Sequence, residues 1–231
     1  MVRQNLPEIE AFARSLHDKV LDPLHALIAI ALELPEDYFV NLHKYEDESE
    51  DHLRYMKYGR YTPEETAQLE AGDGLWTQGH TDLGSITLLF RQPVAGLQIK
   101  DHATGSWKWA KPLDASLTVN TCDALSFLTG NYIKSTVHRV SIPPRDQRNV
   151  DRLGLLYFAR PRNDLVLSTV DSPRLKREGY TQNEFERQGV RVPTMGEFTR
   201  LKQTWQQRRS DKYREKDGEE IVPGFKGVYH D

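Results

Sequence analysis

The sequence predicts a mainly β protein with flanking helices, built as a double-stranded β-helix, or jelly roll. Between Ser85 and Ser168 the chain breaks into short β-rich runs: SITLLFR, VAGLQIK, WKWAK, SLTVNT, ALSFLT, STVHRVSI and LGLLYFARP. Turn-forming residues punctuate them at Pro93, Gly105, Pro112, Cys122-Asp123, Gly130-Asn131 and Pro143-Pro144, and short strands at that spacing indicate a sandwich or barrel. Helical periodicity is confined to the two ends, and 231 residues suffice for one sizeable core.

From Pro7 to Leu34, apolar residues at Ile9, Phe12, Ala13, Leu16, Val20, Leu24, Leu27, Ile28 and Ala31 recur at helical spacing. Asn5 is placed to cap this helix, and Pro23, lacking an N–H, should kink or split it. The longest apolar run, Leu24 to Leu34, falls short of the roughly 20 residues that cross a bilayer and reads as a buried helix. Pro35 to Phe39 ends it with a turn or a second short helix. Residues 44 to 51 are crowded with acids and read as a solvated connector, and Leu53 to Tyr61, dense in tyrosine, reads as a strand. Thr62 to Leu75 is polar with two glycines and reads as a loop with room for one helical turn.

Beyond Pro173 the chain is charged. Met195, Phe198, Leu201 and Trp205 space a helix over Met195 to Arg209, Arg208 to Glu220 should be solvated, and the apolar end from Ile221 to Tyr229 should pack back. The expected organisation is a helical part over 1–52, a jelly-roll core over 53–170 and a charged, partly helical segment over 171–231.

A formal charge of −3 supplies no broad basic field, which argues against nucleic acid or an anionic membrane and for a small-molecule partner. Cys122 is the only cysteine, so no internal disulfide can form and a reducing compartment is expected. The opening residues lack the apolar stretch of a secretory signal, so the expected location is cytoplasmic. Nothing in the sequence sets the oligomeric state.

Chemistry concentrates in Gly79-His80-Thr81-Asp82 and in Thr136-Val137-His138-Arg139-Val140. Two histidines and one carboxylate are the minimum set for holding iron(II) on one face with three coordination positions open. If residues 79 to 83 are extended, His80 and Asp82 point to the same side. A His-x-Asp pair alone is weak in a chain with 8 histidines, and zinc hydrolases use similar ligands. Asn120 is a candidate to stand beside the open positions. The aromatic residues Phe90, Trp107, Trp109, Phe127, Tyr157 and Phe158 read as core, His52 and His102 as surface, and His17 and His25 as helix residues without an obvious partner.

A long ordered string surrounds these ligands: Leu34-Pro-Glu-Asp-Tyr-Phe39, Gly79 to Asp82 with Gly84 and Thr87-Leu88-Leu89, Gly96-Leu97-Gln98, Trp107, Val119-Asn120, Asp123, Leu125, Gly130, Lys134-Ser135 and His138-Arg139-Val140. From Leu34 to Pro161 it resembles the iron(II)- and 2-oxoglutarate-dependent oxygenases of the isopenicillin N synthase-like type. The resemblance implies that His80, Asp82 and His138 hold Fe(II). It also implies that Arg152 binds the distal carboxylate of 2-oxoglutarate, a role suited to its planar fork of donors, and that Tyr58 is the second donor. The implied reaction uses O2, releases succinate and carbon dioxide, and hydroxylates, desaturates or cyclises a small metabolite. An iron oxidase of the same fold without 2-oxoglutarate, and a silent jelly-roll binding protein, are the alternatives.

Two departures from the family pattern stand out. The usual Arg-x-Ser reads Arg152-Leu153-Gly154, so a hydrogen bond to the cosubstrate carboxylate should be missing, at a cost of about 1.5–3 kcal/mol, and Gly154→Ser should restore it. The family also carries more sequence ahead of the segment matching Pro7, including a strand of the main sheet. The chain is therefore expected to be N-terminally short, with an exposed sheet edge or an open pocket.

Overall fold

The computed structural model describes residues 2–72, 74–207, 218–228 and 230. Eight strands form two four-stranded antiparallel sheets. One sheet runs in the order β1 (His52–Tyr58), β8 (Arg152–Ala159), β3 (Ile86–Phe90), β6 (Leu117–Thr121). The other runs β2 (Leu75–His80), β7 (His138–Ser141), β4 (Leu97–Lys100), β5 (Trp107–Trp109). This is the jelly roll expected from the sequence.

Period-two alternation divides the first sheet. His52 pairs with Phe158, Met56 with Gly154 and Tyr58 with Arg152, while Thr87 pairs with Phe158 and Leu89 with Leu156. Directly opposed residues share a face, so all of these look inward. Leu53, Ile86, Leu88, Tyr157 and Ala159 face outward and form one core with the N-terminal helices, through Leu16, Leu21, Ala29 and Leu32.

Those helices are α1 (Leu6–Leu16) and α2 (Asp22–Ala31), joined by a wide π turn over His17–Leu21. The interruption has a local cause. Pro23 cannot donate a bond to residue 19 and its ring crowds that carbonyl, so the Asp22 N–H reaches back five residues to His17 O. Asn5 stands at the cap position without a side-chain capping bond, because a 3-10 turn over Val2–Asn5 leads in. The stretch from Leu24 is only half-buried, contrary to expectation: His25, Ala29 and Leu32 meet the sheet, but Leu27 is 62% and Ile30 53% exposed. A single sheet face can cover only one side of an all-round apolar helix.

Residues 62–72 also differ from the expected loop. They form α3 (Pro63–Ala71), opened by a capping box in which Thr62 accepts from the Glu65 N–H and Glu65 accepts from the Thr62 N–H. The run ALSFLT is not a strand but α4 (Asp123–Leu128), buried on every side, so its composition carried no periodicity to separate helix from strand.

Farther on, α5 (Pro173–Glu178), α6 (Glu184–Arg187) and α7 (Met195–Gln207) follow, with a hairpin of β9 (Glu220–Val222) and β10 (Phe225–Lys226). Phe127, Phe185, Met195, Phe198 and Val222 build a second apolar cluster there, so the chain end does pack back. The solvated reading of Arg208 to Glu220 falls largely on 208–217, outside the described residues, as does Tyr229. Among the described residues no helix is long and apolar enough to cross a membrane.

Candidate functional site

β2 delivers His80 at its last residue, and β7 delivers His138 at its first, directly opposite His80 in register. Asp82 is not on a strand, so alternation does not aim it. It lies in the turn between β2 and β3, which is docked on the N-terminus of α4: the Asp123 N–H donates to Asp82 O and the Ala124 N–H to Gly84 O. Gly84 is required for this approach, since a Cβ there would fall 2.0 Å from Ala159 O. From the other side Lys202 of α7, itself 4% exposed, donates to Thr81 O, Thr81 Oγ1 and the Asp123 carboxylate.

The three side chains converge. Asp82 Oδ1 lies 3.8 Å from both His80 Nε2 and His138 Nε2. Each imidazole spends its other nitrogen on the backbone, His80 Nδ1 donating to Gln78 O at 2.8 Å and His138 Nδ1 to Thr136 O at 3.1 Å. Those bonds fix the tautomer and leave both Nε2 lone pairs aimed at one point. Asp82 Oδ2 accepts from Thr87 Oγ1 at 2.8 Å and Asn120 Nδ2 at 3.0 Å, which leaves Oδ1 free. Burial holds the pKa of His80 down to about 4, so it is neutral at pH 7. Burial pushes the Asp82 carboxyl up, but His138, His80, Asn120 and Thr87 together outweigh it and set it at about 2. Two imidazole nitrogens and one carboxylate oxygen, with a satisfied outer layer, fit a divalent metal.

A cavity of about 150 Å³ opens in front of the cluster, lined by both sheets. At one end sits Arg152, the first residue of β8 and 4% exposed. Its Nε is buried without a partner, and its guanidinium lies 5.0 Å from the centre of the Tyr58 ring. Tyr58 is stacked on Trp76 at 4.8 Å. Tyr55 points outward and is 62% exposed, while Tyr61 leans on Trp76 beyond the strand, so Tyr58 is the tyrosine of the three that lines this cavity. A buried guanidinium with an orphaned donor and a phenol beside it fits a carboxylate.

Gln92 was invisible to sequence reasoning. It reaches into the space opposite Gly154, where an added Cβ would meet Gln92 Nε2 at 2.6 Å. It is 7% exposed, and its Oε1 has no partner. The missing serine therefore does not leave a hole, because an amide stands there. Gly154→Ser would have to displace that amide, the far end of a flexible side chain, before its hydroxyl could reach a carboxylate.

The remaining histidines also need correction. His52 is not a free surface residue but stacks on Phe158 at 4.9 Å, and Phe158 lines the cavity instead of the core. Trp109 is half-exposed, unlike Phe127 and Tyr157, which are buried. His17 and His25 do have neighbours: both are buried around His43, with His17 Nε2 2.6 Å from His43 O and the His25 ring 3.9 Å from that of His43. His102 is exposed, as expected.

Comparison with known proteins agrees with this geometry. The family model described as the 2OG-Fe(II) oxygenase superfamily matches residues 38–161. The 2-oxoglutarate-dependent dioxygenase frbH of Dothideomycetidae sp. is 30% identical over 186 residues, covering 80% of this chain and 55% of its own length. A full-length Neurospora crassa protein, solved in complex with alpha-KG and thymine, superposes with a TM-score of 0.66 at 26% identity, over 80% of this chain and 53% of that one. A 2OG-Fe(II) oxygenase family protein from Caulobacter crescentus gives 0.63 at 26% identity, over 80% and 55%. The chain spans about half the length of the curated relatives it matches.

Proposed function

The chain belongs to the 2OG-Fe(II) oxygenase superfamily, and from that premise we propose that it is an iron(II)- and 2-oxoglutarate-dependent dioxygenase acting on a small-molecule metabolite. The observation that carries this reading is the pairing, in one cavity, of a ligand cluster at His80, Asp82 and His138 with a buried guanidinium at Arg152 whose Nε lacks a partner.

In this reading His80 Nε2, His138 Nε2 and Asp82 Oδ1 hold the metal, and Thr87 and Asn120 keep the Asp82 carboxylate from rotating. Arg152 and Tyr58 receive the distal carboxylate of the cosubstrate, and the Gln92 amide stands where the family serine would. Leu89, Leu97, Val140 and Leu156 line the same space and keep it poor in water. Iron(II), 2-oxoglutarate and O2 together supply the oxidising power to break a substrate C–H bond, with succinate and carbon dioxide released. The protein contributes position: it selects which C–H bond faces the metal and so decides between hydroxylation, desaturation and ring closure.

We assign the catalytic core to residues 53–170, flanked by the helical 1–52 and by 171–231. The isopenicillin N synthase-like branch, secondary metabolism and a cytoplasmic location complete the proposal, supported by the sequence string, by fungal relatives such as frbH and by the single buried cysteine. Oxygen consumption by the iron-loaded chain tests it: consumption should require 2-oxoglutarate and yield succinate. Equal consumption without 2-oxoglutarate would favour an oxidase of the same fold.

A further inference from the structure

Arg152 is not the only guanidinium in the cavity. Arg54 also lines it, on the inward face of β1 and opposite Leu156 of β8. Tyr58 is opposite Arg152, so the two arginine levels are four residues apart, about 13 Å along the strands. The Arg152 guanidinium lies beside the Tyr58 ring and that of Arg54 beside the Phe158 ring, so the two serve different ends of the cavity.

Arg54 is exposed to solvent while lining this cavity. Its guanidinium carbon lies 4.7 Å from the centre of the Phe158 ring, and Nη2 lies 3.2 Å from His52 Nε2. Among the described residues no carboxylate lies within 4.0 Å of it. The neighbouring Arg160, by contrast, is paired with Glu50 at 2.8 Å. Burial is the main cause that lowers the Arg160 pKa, but Arg54 lowers it further, so the two cations repel each other. An anion placed on Arg54 would relieve that repulsion, and Phe158 would offer it an apolar bed beside the metal ligands.

Resting on the dioxygenase reading above, we propose that Arg54 and Phe158 form the primary-substrate subsite, and that the substrate is a small organic acid whose carboxylate pairs with Arg54. Arg152 then serves the cosubstrate and Arg54 the substrate, and the C–H bond to be oxidised lies between Arg54 and the ligand cluster.

The test uses the full 231-residue chain with iron(II) and 2-oxoglutarate under anaerobic conditions. A panel of small aliphatic and aromatic monocarboxylic acids, each matched to its neutral amide, is titrated calorimetrically against wild type, Arg54→Gln and Arg54→Lys. At least one acid should bind at least tenfold tighter than its amide. Arg54→Gln should erase that preference, Arg54→Lys should retain part of it, and the 2-oxoglutarate dissociation constant should stay within twofold in both. Acids and amides binding alike, no acid binding at all, or an acid preference that survives Arg54→Gln would overturn the assignment. Failure of wild type to bind 2-oxoglutarate would instead overturn the dioxygenase reading itself.

Discussion

His25 and His43 lie with ring centres 3.9 Å apart on the helical side of the main sheet, and His80 and His138 lie 4.4 Å apart on its other side. Ring spacing is nearly the same, yet the chemistry open to each pair differs. His43 spends both nitrogens, Nδ1 donating to Phe39 O and Nε2 lying 2.7 Å from the Ser85 hydroxyl, and His25 is sealed in with neither nitrogen partnered. In the other pair one nitrogen of each ring is held in reserve, a carboxylate oxygen faces both, and a cavity opens in front. Proximity of imidazoles makes a structural plug in one place and a ligand set in the other. The difference is that only in the second pair do unclaimed nitrogens face a carboxylate oxygen and an open cavity.

Removing a ligand should have the largest effect. His80→Ala and His138→Ala should each weaken iron(II) binding by more than ~100-fold, the loss seen for mere supporting residues, while the metal-free melting temperature stays near wild type. Equilibrium iron titration with parallel thermal melts checks this. On the helical side the pattern should invert: His43→Ala should cost about 2–4 kcal/mol of stability, through two lost hydrogen bonds and a cavity, with metal affinity retained in the folded fraction, as urea denaturation followed by iron titration would report.

The same residue predicts a pH dependence. Burial lowers the His43 pKa from 6.5 to about 4, so between those values the unfolded chain takes up the proton and the folded chain does not. Stability from His43 is therefore complete above pH 6.5 and is lost as pH falls toward 4, by up to about 3 kcal/mol. Metal-free denaturation at stepped pH should show that fall, and it should be shallower in His43→Ala. At the cosubstrate end, Arg152→Gln should weaken 2-oxoglutarate binding by about 1.5–3 kcal/mol. The smallest effect separates Gln92 from a serine: Gly154→Ser alone should bring no gain because the hydroxyl-bearing carbon meets Gln92, whereas Gln92→Ala with Gly154→Ser should recover affinity over Gln92→Ala. Calorimetry on the four proteins of that cycle would decide it.

Much of the fold was legible because its signals are local. Tyrosine density marked β1, β-rich runs between turn signals marked β3 and β8, and spaced apolar residues marked α1, α2 and α7. The ligand types and their order were legible for the same reason. What escaped depends on distant partners or on total burial. α4 is apolar on all sides and has no stripe; α3 was missed although Thr62 and Glu65 spell its capping box. Gln92 matters only because the fold sets it against Gly154, and Lys202 because it reaches Asp123 from 79 residues away. Nor could alternation aim Asp82, since the turn that carries it takes its direction from α4.

The most direct test is an anaerobic titration of the 231-residue chain with iron(II) and 2-oxoglutarate, following the visible metal-to-ligand charge-transfer band in wild type, His80→Ala and His25→Leu. The band should form in wild type and in folded His25→Leu, and be absent from His80→Ala. A band that survives in His80→Ala, or one that vanishes from folded His25→Leu, would contradict the assignment of the two histidine pairs.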